Sequence, residues 1–182
     1  AGALSPDASL TADESFTATS AAGLTYPWGS FGPASGEAFR VADGISWARI
    51  PMPGSLGHIN SWLLDDDDGV AVVDTGLMLT QCSDAWKSLF ANDLKNTRIT
   101  RVIGTHLHPD HIGLAGWLAK KFDTKICMTR GEWLTSRLLV AEKRDGMDAS
   151  ELAFLRSTGW DDDQLEDIRT KGWGKFAAVT YP

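Results

Sequence analysis

Residues 105–117 read THLHPDHIGLAGW, and three of the chain's four histidines, His106, His108 and His111, fall within it around Asp110. A histidine buried for packing normally stands alone with one hydrogen-bond partner, whereas neutral imidazoles crowded beside a carboxylate are what a divalent transition metal takes. In an extended segment alternate side chains point the same way, so His106 and His108 converge on one ion from the end of a strand. Pro109 ends that strand, and Asp110 and His111 then occupy the first turn of a following helix. Two pairs of donors project from one bend. Asp110 has two roles open to it, ligand of a second ion or acceptor of a proton from metal-bound water, and His111 completes that second centre. A bound metal brings the pKa of water to about 7, so hydrolysis is the natural use of such a cluster. The competing reading is a noncatalytic metal site or a solvent-exposed histidine patch.

Working outward, the short apolar run ITRVIG at 99–104 leads into the cluster as a strand, and the spacing of Ile112, Ala115, Leu118, Ala119 and Phe122 predicts one helix over 110–122. Gly113 and Gly116 allow it a close approach. Upstream, EAFRV and ISWARI around Asp43-Gly44 predict a hairpin. INSWLL at 59–64 and VAVVD at 70–74, around the polar run Asp65 to Gly69, predict a second. Four consecutive aspartates read as a solvated turn, because calcium loops space their oxygens along a longer segment. Leu79, Cys82, Trp86, Leu89 and Phe90 mark one face of a helix over 79–93. Downstream, 125–129 is strand-like, 131–144, 148–157 and 161–170 read as helices, and 176–181 (FAAVTY) as the start of a strand. Hairpins first, then strands alternating with helices, give an α/β class with a mixed sheet. Residues 1–37 are rich in Ala, Ser, Thr, Gly and Pro and form an arm, whose aromatics Phe16, Tyr26, Trp28 and Phe31 argue that it docks.

The chain of 182 residues is 43% hydrophobic and 23% charged, enough for one domain with a substantial core. A formal net charge of −7 disfavours nucleic acid and anionic membranes as partners. No stretch approaches the roughly 20 apolar residues of a membrane span, and the N-terminus lacks a signal-peptide pattern. Cys82 and Cys127 are expected as free thiols. A cytoplasmic location follows.

The string HLHPDH resembles the His-x-His-x-Asp-His signature of the metallo-β-lactamase superfamily, and VVDTG at 72–76 resembles that superfamily's earlier motif. HINSWLL, VVDTGL, THLHPDHIGLAGWLAKKF and MTRGEWLTSR together look like a glyoxalase II-like branch of its metal-dependent hydrolases. The resemblance covers residues 38–182. It implies the first half of an αββα sandwich, a mixed sheet with helices on one face. It also implies His106 and His108 on a first Zn2+, Asp110 and His111 on a second, and Asp74 beneath them, orienting a ligand histidine. Iron or manganese suits the same donors.

Members of that superfamily add a third histidine to the first metal, a bridging aspartate and a last histidine, all from the second half of the sandwich. No histidine follows His111 here. The resemblance therefore implies a hydrolase of an ester, thioester, lactone or amide small-molecule substrate, with a zinc-activated hydroxide as nucleophile, that lacks a full active site in this chain alone. A complementary C-terminal half, on a second chain, in a missing segment or replaced by a second copy of this chain, would complete it. The alternatives are a noncatalytic scaffold that pairs with another polypeptide, and a phosphodiesterase of the same superfamily. Other motifs carry less. Asp74-Thr75-Gly76 occurs once, so an aspartic protease would need a homodimer and would leave the histidines without purpose. No Gly-x-Ser-x-Gly elbow supports a serine hydrolase. His58 has two open readings, substrate-side or plain loop. Trp117, Trp133 and Trp160 read as packing residues.

Overall fold

Strand alternation in the first half of the chain resolves into a ladder of hairpins. A computed structural model describes residues 17–142, 147–171 and 176–182. Its elements are β1 (Thr19–Ala21), β2 (Leu24–Tyr26), β3 (Ala38–Ala42), β4 (Ile45–Pro51), β5 (His58–Asp66), β6 (Gly69–Val73), α1 (Thr80–Ala91), β7 (Arg98–Ile103), α2 (Pro109–Ile112), α3 (Ala115–Phe122), β8 (Lys125–Cys127), α4 (Arg130–Glu142), α5 (Ala149–Ser157), α6 (Asp162–Lys171) and α7 (Phe176–Val179). Strands β3 to β8 form one sheet in sequence order. The pairs from β3 to β6 are antiparallel, and β6–β7 and β7–β8 are parallel. The sheet is mixed, as expected. Tight turns suit the antiparallel part: Gly44 at φ 71° and Asp67 at φ 50° supply the left-handed residues that reverse the chain. Each parallel pair instead needs a helical crossover, α1 for the first and α2 with α3 for the second.

One face of this sheet carries the core. Ala48, Ile50, Ile59, Leu63, Val70, Val72, Ile99 and Val102 pack with Trp86 and Leu89 of α1 and with Leu118 of α3, all at 6% exposure or less. Ile99 and Val102 both face inward, although they are three residues apart. Strand β7 spends two residues, Ile99 to Arg101, on the single step from Val70 to Ala71, so Thr100 is an extra residue. Such a bulge resets the alternation. Thr100 finds partners outside the ladder, its hydroxyl donating to Asp66 and its carbonyl accepting from Thr124.

The opposite face carries a cross-strand row, Phe39, Trp47, Trp62, Val73, Ile103 and Cys127, in direct register. Its β3–β4 end is covered by the arm: Trp28 meets Phe39 edge-on at 5.9 Å and lies 6.5 Å from Trp47, while Phe31 meets Phe39 at 4.8 Å. Phe39 is buried as a result. Phe16, the remaining segment 1–15 and residues 143–144 of the expected helix lie outside the described residues.

Three sequence expectations are corrected. The helix expected over 110–122 is broken into α2 and α3, because the Leu114 amide turns out to bond Gly76 O and Thr75 Oγ1, each at 3.1 Å. The strand expected at 176–181 is the helical turn α7 followed by extended residues. Ala177 and Ala178 favour helix, and the segment pairs with none of the described strands. Its backbone goes to loops instead: Met78 N–H donates to Val179 O, Gly116 N–H to Tyr181 O, and Tyr181 N–H to Gly113 O. Trp160 is 37% exposed and outside the core, whereas Trp117 packs against it. Both cysteines are free, with Cys82 buried and Cys127 exposed.

Candidate metal centre

Strands β6 and β7 run parallel and end side by side, and the loops leaving their C-terminal ends meet there, the place where open α/β sheets bind ligands. At the end of β6 the chain turns through Asp74, in the left-handed region at φ 61°, and then Gly76 at φ 86°. That reversal aims the Thr75 and Gly76 amides at helix α2. Thr75 N–H donates to His111 O at 2.7 Å and Gly76 N–H to Asp110 O at 2.9 Å. The Thr75 hydroxyl also donates to His111 O, at 3.0 Å. Gly113 closes the joint. A Cβ there would stand 2.5 Å from Pro109 O, 2.6 Å from Gly76 O and 2.7 Å from Leu77 Cα, so only glycine lets the two loops come this close.

The Asp74 carboxylate, 5% exposed, organises what lies above it. It accepts the Thr105 amide at 2.9 Å, the Thr105 hydroxyl at 2.8 Å and His111 Nδ1 at 2.7 Å. These contacts fix two imidazoles. A carboxylate only accepts, so His111 carries a proton on Nδ1, and in the neutral ring the lone pair falls on Nε2. The Thr105 hydroxyl gives its one proton to Asp74, and its oxygen therefore accepts from His106 Nδ1 at 3.0 Å. His106 Nε2 is then left with a lone pair as well. A single buried carboxylate thus sets the tautomer of one ring directly and of the other through Thr105.

The free ends of these rings converge. His106 Nε2 lies 2.9 Å from His108 Nδ1, and His111 Nε2 lies 3.3 Å from Asp110 Oδ2. The His106 and His111 rings are 4.1 Å apart between centroids. All four residues singled out from the sequence are brought to one bend, with Asp74 beneath them. Among the described residues, no group of three His, Cys, Asp or Glu side chains closes around a common point. The donors come in twos. Burial, reinforced by the His111 and His108 rings, pushes the His106 pKa below the ordinary histidine value. The hydrogen bond to Asp74 raises that of His111, with burial opposing it. His58 begins β5 opposite Pro51, and burial together with the Arg49 charge pushes its pKa down.

Sequence reasoning assigned no role at this site to Thr105, Thr75 or Glu132. Glu132 Oε2 accepts the amide of Leu107, between the two histidines, at 2.5 Å. Thr105 was legible only as a neighbour of the cluster. Asp74 pairs with a threonine and a histidine rather than with a second aspartate, the arrangement an aspartic protease needs.

The family model for the metallo-beta-lactamase superfamily matches residues 54–175. The chain belongs to the metallo-beta-lactamase superfamily. That places it in a superfamily made up mostly of hydrolases, whose members generally bind zinc. A beta-lactamase domain protein from Burkholderia ambifaria is 34% identical over 79% of this chain, with a TM-score of 0.63. A metallo-beta-lactamase family protein from Thermus thermophilus shares the fold at a TM-score of 0.56, with 23% identity over 79% of this chain. The chain spans 42% of the length of the first and 44% of the second. No curated protein matches it.

Proposed function

We propose that this chain carries the metal-binding end of a metallo-beta-lactamase-fold hydrolase, with zinc, or iron or manganese in its place, held by His106, His108, Asp110 and His111. The observation that carries the reading is the pairing of donor atoms above Asp74: 2.9 Å for His106 Nε2 with His108 Nδ1, and 3.3 Å for His111 Nε2 with Asp110 Oδ2. Two donors on one tetrahedral ion, each about 2.0–2.1 Å from it, stand roughly 3.3 Å apart, so both pairs are within a few tenths of an ångström of a ligand edge. The hydrogen-bond network supplies the other half of the fit, because it leaves a lone pair on each facing nitrogen of His106 and His111.

A bound divalent ion supplies a Lewis acid and brings the pKa of water to about 7. The chain's own residues do the rest. Asp74 and Thr105 hold the imidazoles in the ligand tautomer. Asp110 stands where it either shares a second ion with His111 or accepts the proton of the attacking water. The substrate class we favour is a small ester, thioester, lactone or amide, whose carbonyl takes up the nucleophile. A net charge of −7 disfavours the polyanion that a phosphodiesterase of this superfamily would take.

Completion of the site belongs to the same proposal. A catalytic zinc uses three protein ligands, and each pair here offers two. The complementary half, supplied by further chain, by another polypeptide or by a second copy, would bring the remaining ligands and cover the half-buried row from Trp62 to Ile103. A cytoplasmic location is supported by the two free cysteines. The second reading, a noncatalytic half-domain that pairs with a partner, draws on the same spacing of donors in twos.

Equilibrium dialysis against zinc, with the bound metal counted by mass spectrometry, separates the two. The unaltered chain takes up zinc and His106→Ala or His108→Ala loses it, together with any ester, thioester or lactone turnover of the completed assembly. Equal zinc uptake by the variants rejects the ligand assignment, and no uptake by the unaltered chain favours the noncatalytic half-domain.

A further inference from the structure

The start of helix α4 carries the pattern Thr129-Arg130-Gly131-Glu132, the Thr-x-x-Glu spacing of a capping box. In such a box the helix-capping residue accepts the amide of the glutamate, and the glutamate carboxylate returns to the amide of the cap. Helix α5 does this in full. Asp148 accepts from Glu151 N–H at 2.9 Å, and Glu151 Oε2 accepts from Asp148 N–H at 2.9 Å. Helix α4 makes only the first half, a long 3.4 Å contact from Glu132 N–H to Thr129 Oγ1. Its carboxylate goes elsewhere, to the amide of Leu107, 25 residues back in the chain, at 2.5 Å.

That amide sits between His106 and His108. The topology makes the reach available: β7 and β8 are parallel neighbours, Gly104 N–H donates to Cys127 O at 3.0 Å, and α4 begins just beyond β8, beside the loop that leaves β7. The amides of alternate residues in that loop are therefore each taken by a carboxylate. Thr105 N–H goes to Asp74 at 2.9 Å and Leu107 N–H to Glu132. Fixing the peptide between the two histidines fixes the backbone from which both imidazoles project. We propose that Glu132 is a positioning residue of the metal centre, holding the His106–His108 loop in place through the Leu107 amide. The proposal rests on the metal-binding reading only for what the loop carries.

The test compares Glu132→Ala and Glu132→Gln in the 182-residue chain, with Gly131→Ala as a control for α4 itself. Two readouts are taken: hydrogen exchange of individual amides by NMR, and zinc affinity by competition with a chelator. In Glu132→Ala the Leu107 amide exchanges at least tenfold faster while amides of β7 and of the second turn of α4 keep their rates, and zinc affinity falls by about 10–100-fold. Glutamine keeps an acceptor oxygen, so Glu132→Gln restores most of both. Unchanged Leu107 exchange in Glu132→Ala overturns the proposal. So does faster exchange confined to α4, which would make Glu132 a helix cap, and so does a glutamine variant as impaired as alanine. Should the unaltered chain bind no zinc, the metal reading fails and the Leu107 exchange still decides whether Glu132 holds the loop.

Discussion

At the scale of single residues, Asp74 shows how one buried carboxylate determines the chemistry of groups several ångströms away. It accepts from His111 directly and reaches His106 through the Thr105 hydroxyl, and in both neutral rings this puts the lone pair on Nε2. Asp74 also occupies the left-handed region, where most side chains are strained and Asn or Asp is tolerated best. Asp74→Asn is therefore a clean probe. The backbone turn survives, but an amide presents one acceptor oxygen where the carboxylate has two, and its NH2 donates toward whichever partner it replaces. We expect zinc affinity to fall by about 10–100-fold with the fold intact, as judged by circular dichroism and chelator competition. Affinity equal to that of the unaltered chain would remove Asp74 from its orienting role. The donors were legible in the sequence because histidine is rare and three of the four crowd around Asp110, whereas Asp74 was legible only through the resemblance of VVDTG to the superfamily's earlier motif. Thr105 and Glu132 were not, since their roles depend on contacts with residues 31 and 25 positions away in the chain.

At the scale of elements, the joint between β6 and α2 is made of backbone, and its tolerance to added atoms follows from that. A methyl group on Gly113 would press on Pro109 O, Gly76 O and Leu77 Cα, none of which is the movable end of a side chain. Gly113→Ala is expected to cost about 1–3 kcal/mol in urea unfolding through overpacking and to loosen α2 against the Asp74 turn. Gly131, in the first turn of α4, has open space around its Cα. Gly131→Ala is expected to stabilise the chain by roughly 0.4–1 kcal/mol, because alanine has fewer unfolded conformations to lose. If the two substitutions shift stability equally, the close approach at Gly113 does not exist. The hairpins and α1 were readable because a period of two, turn residues at the reversals and a clear apolar face agree with one another. The split between α2 and α3 was not. Apolar spacing runs straight through Gly113 and Leu114, and the break comes from Thr75 and Gly76 competing for the Leu114 amide. Residues 176–181 misled for the opposite reason: a short apolar run carries no period long enough to separate strand from helical turn.

At the scale of the whole molecule, the two faces of the sheet are unequal in a way that alternation alone does not reveal. Trp47, Trp62, Val73 and Ile103 are as apolar as the residues that α1 and α3 cover, so the strands read as buried on both sides. In the structure the arm shields the β3–β4 end of the second face, and Trp62, Val73 and Ile103 remain half-buried. Strand β7 lets the two faces be compared within one element. Ile99 is 2% exposed in the core under the helices, whereas Ile103 lies on the other face beside Val73. Removing a fully enclosed isoleucine side chain leaves a cavity, so Ile99→Ala is expected to cost about 2–5 kcal/mol. Ile103→Ala empties a site that already meets solvent, and about 1 kcal/mol is expected in the same urea titration. A polypeptide that covers the second face, as the complementary half of the site would, encloses Ile103 and brings its cost toward that of Ile99. Equal costs for the two substitutions in the chain alone would mean that the second face is already covered, and the argument for a partner there would lose its physical basis.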